Sequence, residues 1–552
     1  MKLLMDNLVI LPVLIPMVSG AAMLLLSNSQ KRRQIKIVIS ILSCLALLVV
    51  SALLCIKVSG SSSPIENTYL LGNWEARFGI ALIADRLSVI MVTLCSILAL
   101  PVLIFSLAYW YKMGVYYLTT FQFLIMGING AFLTADLFNL FVFFEILLAG
   151  SYGLVLHASD FPKVKSGMHY IVINLFASLL FLIGISIVYS VCDALNIAEI
   201  GAKIPHLDDN DRTLIHIAFA FLMTAFLIKA GSWPLCFWLP ETYSVISTPA
   251  AAIFAILTKV GIYTLIRLVT LFFGISANIA HPEWNWIFFL GLTTLFFGAA
   301  GVLASQDMKR LAAYSVLVSS GTLLAALGSG KAMIIAGSLY YLLSSTIAIT
   351  AFFLLIELME RGQDAAAEVL AVTEEAYGID DDEADQLDDR ERGMVIPAMF
   401  AILGICFIIT ALIISGLPPF SGFIGKFAIL SGILNPFSPS GKGIPFQDGL
   451  FAFLVILSGI ASLIAMSRAG IRTFWPSFER TIPHVSLLEI SPIAGLLSIT
   501  LVLTVLAGPL TGFMDQTARS LYVSQNYTRT VLDKTPFQIP RPLTAPETGE
   551  SQ

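Results

Sequence analysis

Five ionisable residues sit deep inside long apolar runs of this 552-residue chain: Glu145, Lys229, Lys259, Arg267 and Lys426. A charge at a bilayer centre costs at least about 2.5–3.5 kcal/mol, so each needs a partner or a task. Their chemical types favour proton handling. A buried carboxylate or ammonium changes its protonation with small changes in its surroundings, whereas a guanidinium stays charged. Three lysines and one carboxylate suit protons better than Na+, because a hard cation asks for several oxygens. No catalytic residue set and no metal-ligand spacing accompanies them. The six cysteines are scattered singly through apolar runs and read as small core hydrophobes.

The setting of each charge sharpens its reading. Glu145 lies in Phe141-Val-Phe-Phe-Glu-Ile; it is either half of an ion pair that locks two helices or a proton carrier governed by that pair. Asp136, just before the same run, suits a helix N-cap. Lys229 is followed by Gly231 and Pro234, so its helix is expected to break just beyond it, and irregular backbone at membrane depth is tolerated only where protein or water covers it. Lys259, Tyr263 and Arg267 recur at helical spacing and share one face. Arg267 lies nearer the outer boundary, where snorkelling or field-setting suits it. Lys426 follows a second break at Gly416, Pro418, Pro419 and Gly422. Paired interrupted helices mark transporter sites built from inverted repeats. Between the breaks, Ser315, Ser319, Ser345 and Thr346 could line a water path, or simply let helices pack closely; both readings stand here.

The elements that must position these residues are membrane spans. The chain is 57% hydrophobic and only 12% charged, with mean hydropathy +0.87, too apolar for a water-soluble surface. Its net charge of −5 says little about partners, and nothing points to nucleic acid. Runs of about 20 apolar residues give about fourteen spans, the one near 395–434 being a single broken helix. The first run, near 8–27, is too long and lacks the basic leader of a cleavable signal. Lys and Arg concentrate in the loops after odd-numbered spans (Lys31, Lys112, Lys163, Lys309, Arg361, Arg468), which puts both termini outside the cytoplasm. The stretch 360–392 holds thirteen acidic against three basic residues. It is expected as a solvated loop, with a docking patch as the alternative. The polar tail from Thr517 either lies on a neighbouring surface or is mobile.

The stretches Asp136-Leu-Phe-Asn-Leu-Phe-Val-Phe-Phe-Glu145, Lys229-Ala-Gly-Ser-Trp-Pro-Leu-Cys-Phe-Trp-Leu-Pro240, Gln306-Asp-Met-Lys-Arg-Leu-Ala-Ala-Tyr-Ser and Gly416-Leu-Pro-Pro-Phe-Ser-Gly-Phe-Ile-Gly-Lys426 resemble the antiporter-like superfamily shared with respiratory complex I. Within it the chain looks most like the D subunit of the Mrp/Pha multisubunit Na+(K+)/H+ antiporters. Cys236 and Tyr243 replace histidines usual in complex I subunits, and Leu257-Thr-Lys-Val-Gly-Ile-Tyr263 is also closer to the D subunit.

The resemblance implies an all-α polytopic membrane protein of about fourteen helices, with two inverted five-helix repeats and two broken helices. The corresponding division is 1–110 (three leading helices), 111–273 (first repeat), 274–470 (second repeat, carrying the acidic loop) and 471–552 (last helix and tail). It implies a transporter subunit rather than an enzyme, without cofactors, working beside other subunits in a bacterial cytoplasmic membrane on protons and Na+ or K+. The implied proton path runs through Glu145, Lys229, Lys259 and Lys426, with a Glu145–Lys229 pair expected to set whether Lys229 holds its proton. One departure weakens a residue-by-residue relay: the span 332–357 has Ser345 and Thr346 mid-way where many relatives carry His or Lys. The rivals are a proton-pumping subunit of a complex I-like or hydrogenase complex, a scaffold with vestigial charges, and a stand-alone carrier.

Overall fold

In lipid every main-chain N–H and C=O must be satisfied within its own segment, so apolar runs bounded by charge, Gly or Pro become helices. The computed structural model describes residues 7–26, 30–60, 67–158, 160–272, 285–377, 398–434, 445–474 and 485–534. In order these form α1 (Leu11–Leu25), α2 (Gln30–Gly60), the strands β1 (Thr68–Leu70) and β2 (Ala81–Ile83), α3 (Arg86–Ser106), α4 (Tyr117–Leu133), α5 (Leu137–Val155), α6 (Phe161–Cys192), α7 (Ile197–Lys203) and α8 (Asp209–Ala230). Then come α9 (Trp238–Val245), α10 (Thr248–Phe254), α11 (Leu257–Phe272), α12 (Asn285–Ala304), α13 (Met308–Gly328) and α14 (Ala332–Tyr377). The chain continues as α15 (Ala398–Ser415), α16 (Ser421–Ile433), α17 (Phe446–Phe474), α18 (Leu487–Val505), α19 (Ala507–Leu521) and α20 (Ser524–Leu532).

Among the described residues, eleven segments are long and apolar enough to cross a bilayer. The expected fourteen is not reached on length, because α1, α4 and the two halves α15 and α16 are apolar but shorter. The acidic stretch also departs from expectation. Helix α14 runs 46 residues, to Tyr377, so the backbone through 377 is helical rather than loop. Ala365-Ala366-Ala367-Glu368 are strong helix formers that continue the register of the membrane helix. The remainder of that stretch, 378–392, lies outside the described residues.

The connections gather at two ends. At one, β1 pairs antiparallel with β2, Leu82 bridges to Thr134 and Asp136 bridges to Asn196. The tail joins this end, where Thr68 Oγ1 donates to the Thr530 carbonyl at 3.1 Å. At the other, His157 bonds the Trp110 carbonyl at 2.8 Å and Arg468 donates to the Leu303 and Ser305 carbonyls at 2.7 Å each. Lys309 pairs with Glu360 here as well. The basic loops thus share one end, as the charge count requires of a cytoplasmic face.

Small residues set how closely the spans approach. A Cβ on Gly127 of α4 would lie 2.6 Å from the Leu147 amide of α5, and one on Gly298 of α12 would lie 2.8 Å from the Val318 amide of α13. The first two helices of each expected five-helix unit are therefore backbone-close hairpins.

Candidate functional site

Two broken helices share one local chemistry. Helix α8 ends at Gly231, φ +71°, with the Gly231 and Ser232 amides capping the Ile228 and Leu227 carbonyls. Helix α15 ends at Gly416, φ +77°, with the Gly416 and Leu417 amides capping the Ile413 and Leu412 carbonyls. Each glycine occupies the left-handed region that other residues enter only at a cost. Pro234 and Pro419 each stand three residues beyond the cap and keep the helix from resuming at once. Trp233 and Ser232 in the first break are held by Thr294 Oγ1, at 3.0 and 3.2 Å. A third interruption, which no Gly or Pro marks in the sequence, separates α10 from α11 at Ala255–Ile256, just before Lys259.

Both break-associated lysines lie at the negative end of a helix dipole, where a cation is favoured. Lys229 is in the last turn of α8. Lys426, on α16, reaches back so that Nζ donates to the Ser415 carbonyl at 3.0 Å. A Cβ on Gly416 or Gly459 would come within 3.3 Å of that Nζ, so glycines make room for it.

The expected Glu145–Lys229 ion pair is not formed. Lys229 Nζ and Glu145 Oε1 are both buried without a hydrogen-bond partner among the described residues. The ammonium instead lies over the Phe144 ring, 4.8 Å from its centroid. Glu145 is near enough to act on Lys229 electrostatically, but Phe144, its neighbour in sequence, takes the contact position. The ring's negative face offers a cation a partner without a proton acceptor.

From Lys229 the polar groups continue laterally. Gly261 of α11 packs on Ala230, with a Cβ placed 2.9 Å from the Ala230 amide, so the segments bearing Lys229 and Lys259 touch backbone to backbone. Lys259 is fully buried, and its Nζ donates to Ser320 Oγ at 3.3 Å. Next along α13, Ser319 bonds Ser345 of α14 at 2.9 Å, and Ser344 bonds Ser421 of α16 at 2.8 Å. A cavity of about 10 Å³, roughly the least that admits one water, is lined by Ser315, Tyr341, Ser345, Gly422 and Ser462. Thr346 is turned to its own helix, Oγ1 donating to the Leu342 carbonyl, and contributes no link.

Residues 134–439, more than half of the chain, match the transmembrane family described as NADH:quinone oxidoreductase/Mrp antiporter. The chain belongs to this NADH:quinone oxidoreductase/Mrp antiporter family. The D subunit of a probable K+/H+ antiporter of Rhizobium meliloti is 49% identical over 96% of this chain and 98% of its own length. The D subunit of a Na+/H+ antiporter of Alkalihalophilus pseudofirmus is 32% identical over 96% of this chain and its own full length. In fold, the chain is similar to a chain of the Mrp complex from Dietzia sp. (TM-score 0.77, 21% identity, 96% of this chain and 99% of that one). It is also similar to a chain of respiratory complex I from Thermus thermophilus (TM-score 0.69, 20% identity, 94% and 99%).

This NADH:quinone oxidoreductase/Mrp antiporter family member holds further buried charge that is not evident from the sequence. Arg267 does not snorkel. It makes two bonds to Asp85, at 2.6 and 2.7 Å, and Tyr527 of the tail stacks on it at 4.8 Å. Asp85 also caps α3 through the Ser88 amide. A carboxylate at a span end is ordinary, and the signal that could have singled this one out is an opposite charge at the matching end of another span. Tyr263 Oη donates to the Phe132 carbonyl at 2.6 Å. At the end that carries the basic loops, Glu357 is buried and accepts from Trp110 Nε1 at 2.9 Å; Arg361 joins it to Glu489.

Proposed function

We propose that this chain is the proton-translocating subunit of a multisubunit monovalent cation (Na+ or K+)/proton antiporter of a bacterial cytoplasmic membrane, a transporter component rather than an enzyme. The observation that carries this is the lateral line of buried groups from Glu145 and Lys229 through Lys259 to Lys426, in a chain 49% identical to the D subunit of a probable K+/H+ antiporter. The divisions 111–273 and 274–470 are read as its two inverted repeats, each with one glycine-capped break.

In this mechanism Lys229 exchanges its proton under the field of Glu145. With Phe144 rather than the carboxylate as its contact, the ammonium is held without being committed to a fixed salt bridge. A proton leaving Lys229 passes to Lys259, then over Ser320, Ser319 and Ser345 and the single-water cavity to Lys426. The hydroxyl bridges supply the crossing of α14, which has no ionisable group at mid-depth. The opposing cation flow belongs to other subunits of the complex.

The test is cation-driven pH change in everted vesicles carrying the whole complex. Lys229→Ala and Glu145→Gln are expected to reduce antiport to background while the complex still assembles. Undiminished exchange in both would favour a scaffold. The likeness to complex I keeps a redox-complex subunit as the second reading, and flavin or iron–sulfur partners co-purifying with the native assembly would establish it.

A further inference from the structure

The buried ion pair at the outer end of the first repeat stands apart from the lateral line. A cavity of about 250 Å³ opens there, lined by Asn67, Asp85, Arg267, Thr270, Tyr527 and Thr530. Two of its lining residues, Asn67 and Tyr527, bury Oδ1 and Oη without a hydrogen-bond partner among the described residues. The cavity reaches Arg267 from the outside. On the inner side of Arg267 the packing closes: Ser88 is fully buried, Tyr263 is 3% exposed, and the Tyr263 ring meets the Phe132 ring edge-on at 5.1 Å.

The hydrogen bonds at this boundary lead nowhere. Tyr263 has one hydroxyl proton and gives it to the Phe132 carbonyl, a main-chain oxygen that cannot pass a proton on. Arg267 donates to both Ser88 Oγ and Tyr263 Oη at 3.2 Å, so Ser88 in turn donates to Tyr263 at 3.1 Å. Both hydroxyl protons of this row are spent, on the Phe132 carbonyl and on Tyr263 Oη. The pair is also oriented: Asp85 is the more exposed partner and Arg267 the deeper one. A guanidinium that stays charged therefore faces inward, toward Lys259, eight residues and about 12 Å along the same helix.

We infer that Arg267, held by Asp85 and Tyr263, is a positioning residue that seals the outer side of the first repeat, so that a proton on Lys259 leaves laterally toward Lys426 instead of leaking into the outer cavity. The inference rests on Lys259 being a carrier in the proposed relay. Loss of antiport in Lys259→Leu alone tests that relay separately.

The seal is tested with the double variant Asp85→Asn/Arg267→Gln, which leaves two amides and no unpaired buried charge. Vesicles with the assembled complex are given a pH gradient without Na+ or K+. The gradient is expected to collapse several-fold faster than with the parent complex, and adding Lys259→Leu should return it to the parent rate. A parental rate in the double variant overturns the seal, as does a leak that Lys259→Leu leaves in place. A second measurement does not depend on that variant assembling. Against the parent background, Ser520→Cys, at the exposed rim of the same cavity, should react with a membrane-impermeant thiol reagent from the outside and Ser88→Cys should not. Equal labelling of both would place the wet boundary inside Arg267 and overturn the proposal.

Discussion

At the residue scale, this protein handles buried charge in two ways. Asp85 and Arg267 neutralise each other with parallel bonds, and the pair is fixed. Among the described residues, no carboxylate is bonded to Lys229, Lys259 or Lys426; their partners are an aromatic face, a hydroxyl and a carbonyl. A lysine held by such partners can lose its proton without leaving an orphaned carboxylate, while a fixed ion pair cannot. Breaking the fixed pair from one side should be costly. Asp85→Ala is expected to destabilise the protein by about 3–5 kcal/mol, because it leaves the guanidinium buried and unpaired. Thermal unfolding of the purified chain measures this, and Asp85→Ala/Arg267→Met should recover much of the loss.

At the element scale, the breaks and the close hairpins do different work. The glycine caps close the last turns of α8 and α15, the second leaving the Ser415 carbonyl to accept from Lys426, and Thr294 supplies bonds that the interrupted backbone of the first would otherwise lack. The α4–α5 and α12–α13 hairpins instead set how closely their own helices approach. A side chain at Gly127 would meet the α5 backbone rather than a movable side chain. Gly127→Leu is therefore expected to push α4 from α5 and cost upward of about 1–3 kcal/mol from overpacking. Reduced yield of assembled protein and a lower unfolding temperature would register it; an unchanged unfolding temperature would contradict the close packing. The breaks at Gly231 and Gly416 are legible in the sequence because Gly and Pro punctuate a helix by local chemistry. The interruption at Ala255–Ile256 is not, since neither residue type disfavours a helix and tertiary packing alone imposes it.

At the scale of the whole molecule, the tail ties the last span back over the first repeat. Met514, Leu521, Tyr527 and Val531 are buried, and Thr530 accepts from Thr68 beside the β-hairpin. A chain ended at Val505 loses these contacts. At about 1.5–3 kcal/mol for each large apolar side chain, it is expected to unfold at a distinctly lower temperature, and proteolysis from the outer side should then cut near the β-hairpin. An unchanged unfolding temperature and digestion pattern would show that the tail bears no such load.

Four properties are written in the amino-acid order alone: that the chain spans a membrane, which end carries the basic loops, where two helices break and which lysines lie at depth. Each follows from composition, local backbone preference or the cost of charge in lipid, and none needs a neighbour from elsewhere in the chain. The partners come from the packing of the helices. Opposite charge makes Glu145 the natural mate of Lys229, yet the rotation of α5 presents Phe144. Depth alone leaves Arg267 free to reach the interface, yet α3 brings Asp85 to it from 182 positions away. Position 345, where the sequence shows only a missing ionisable group, becomes a bridge because α13 supplies Ser319 opposite it. Depth in the membrane is set along one helix, but a partner depends on how several helices are turned toward one another.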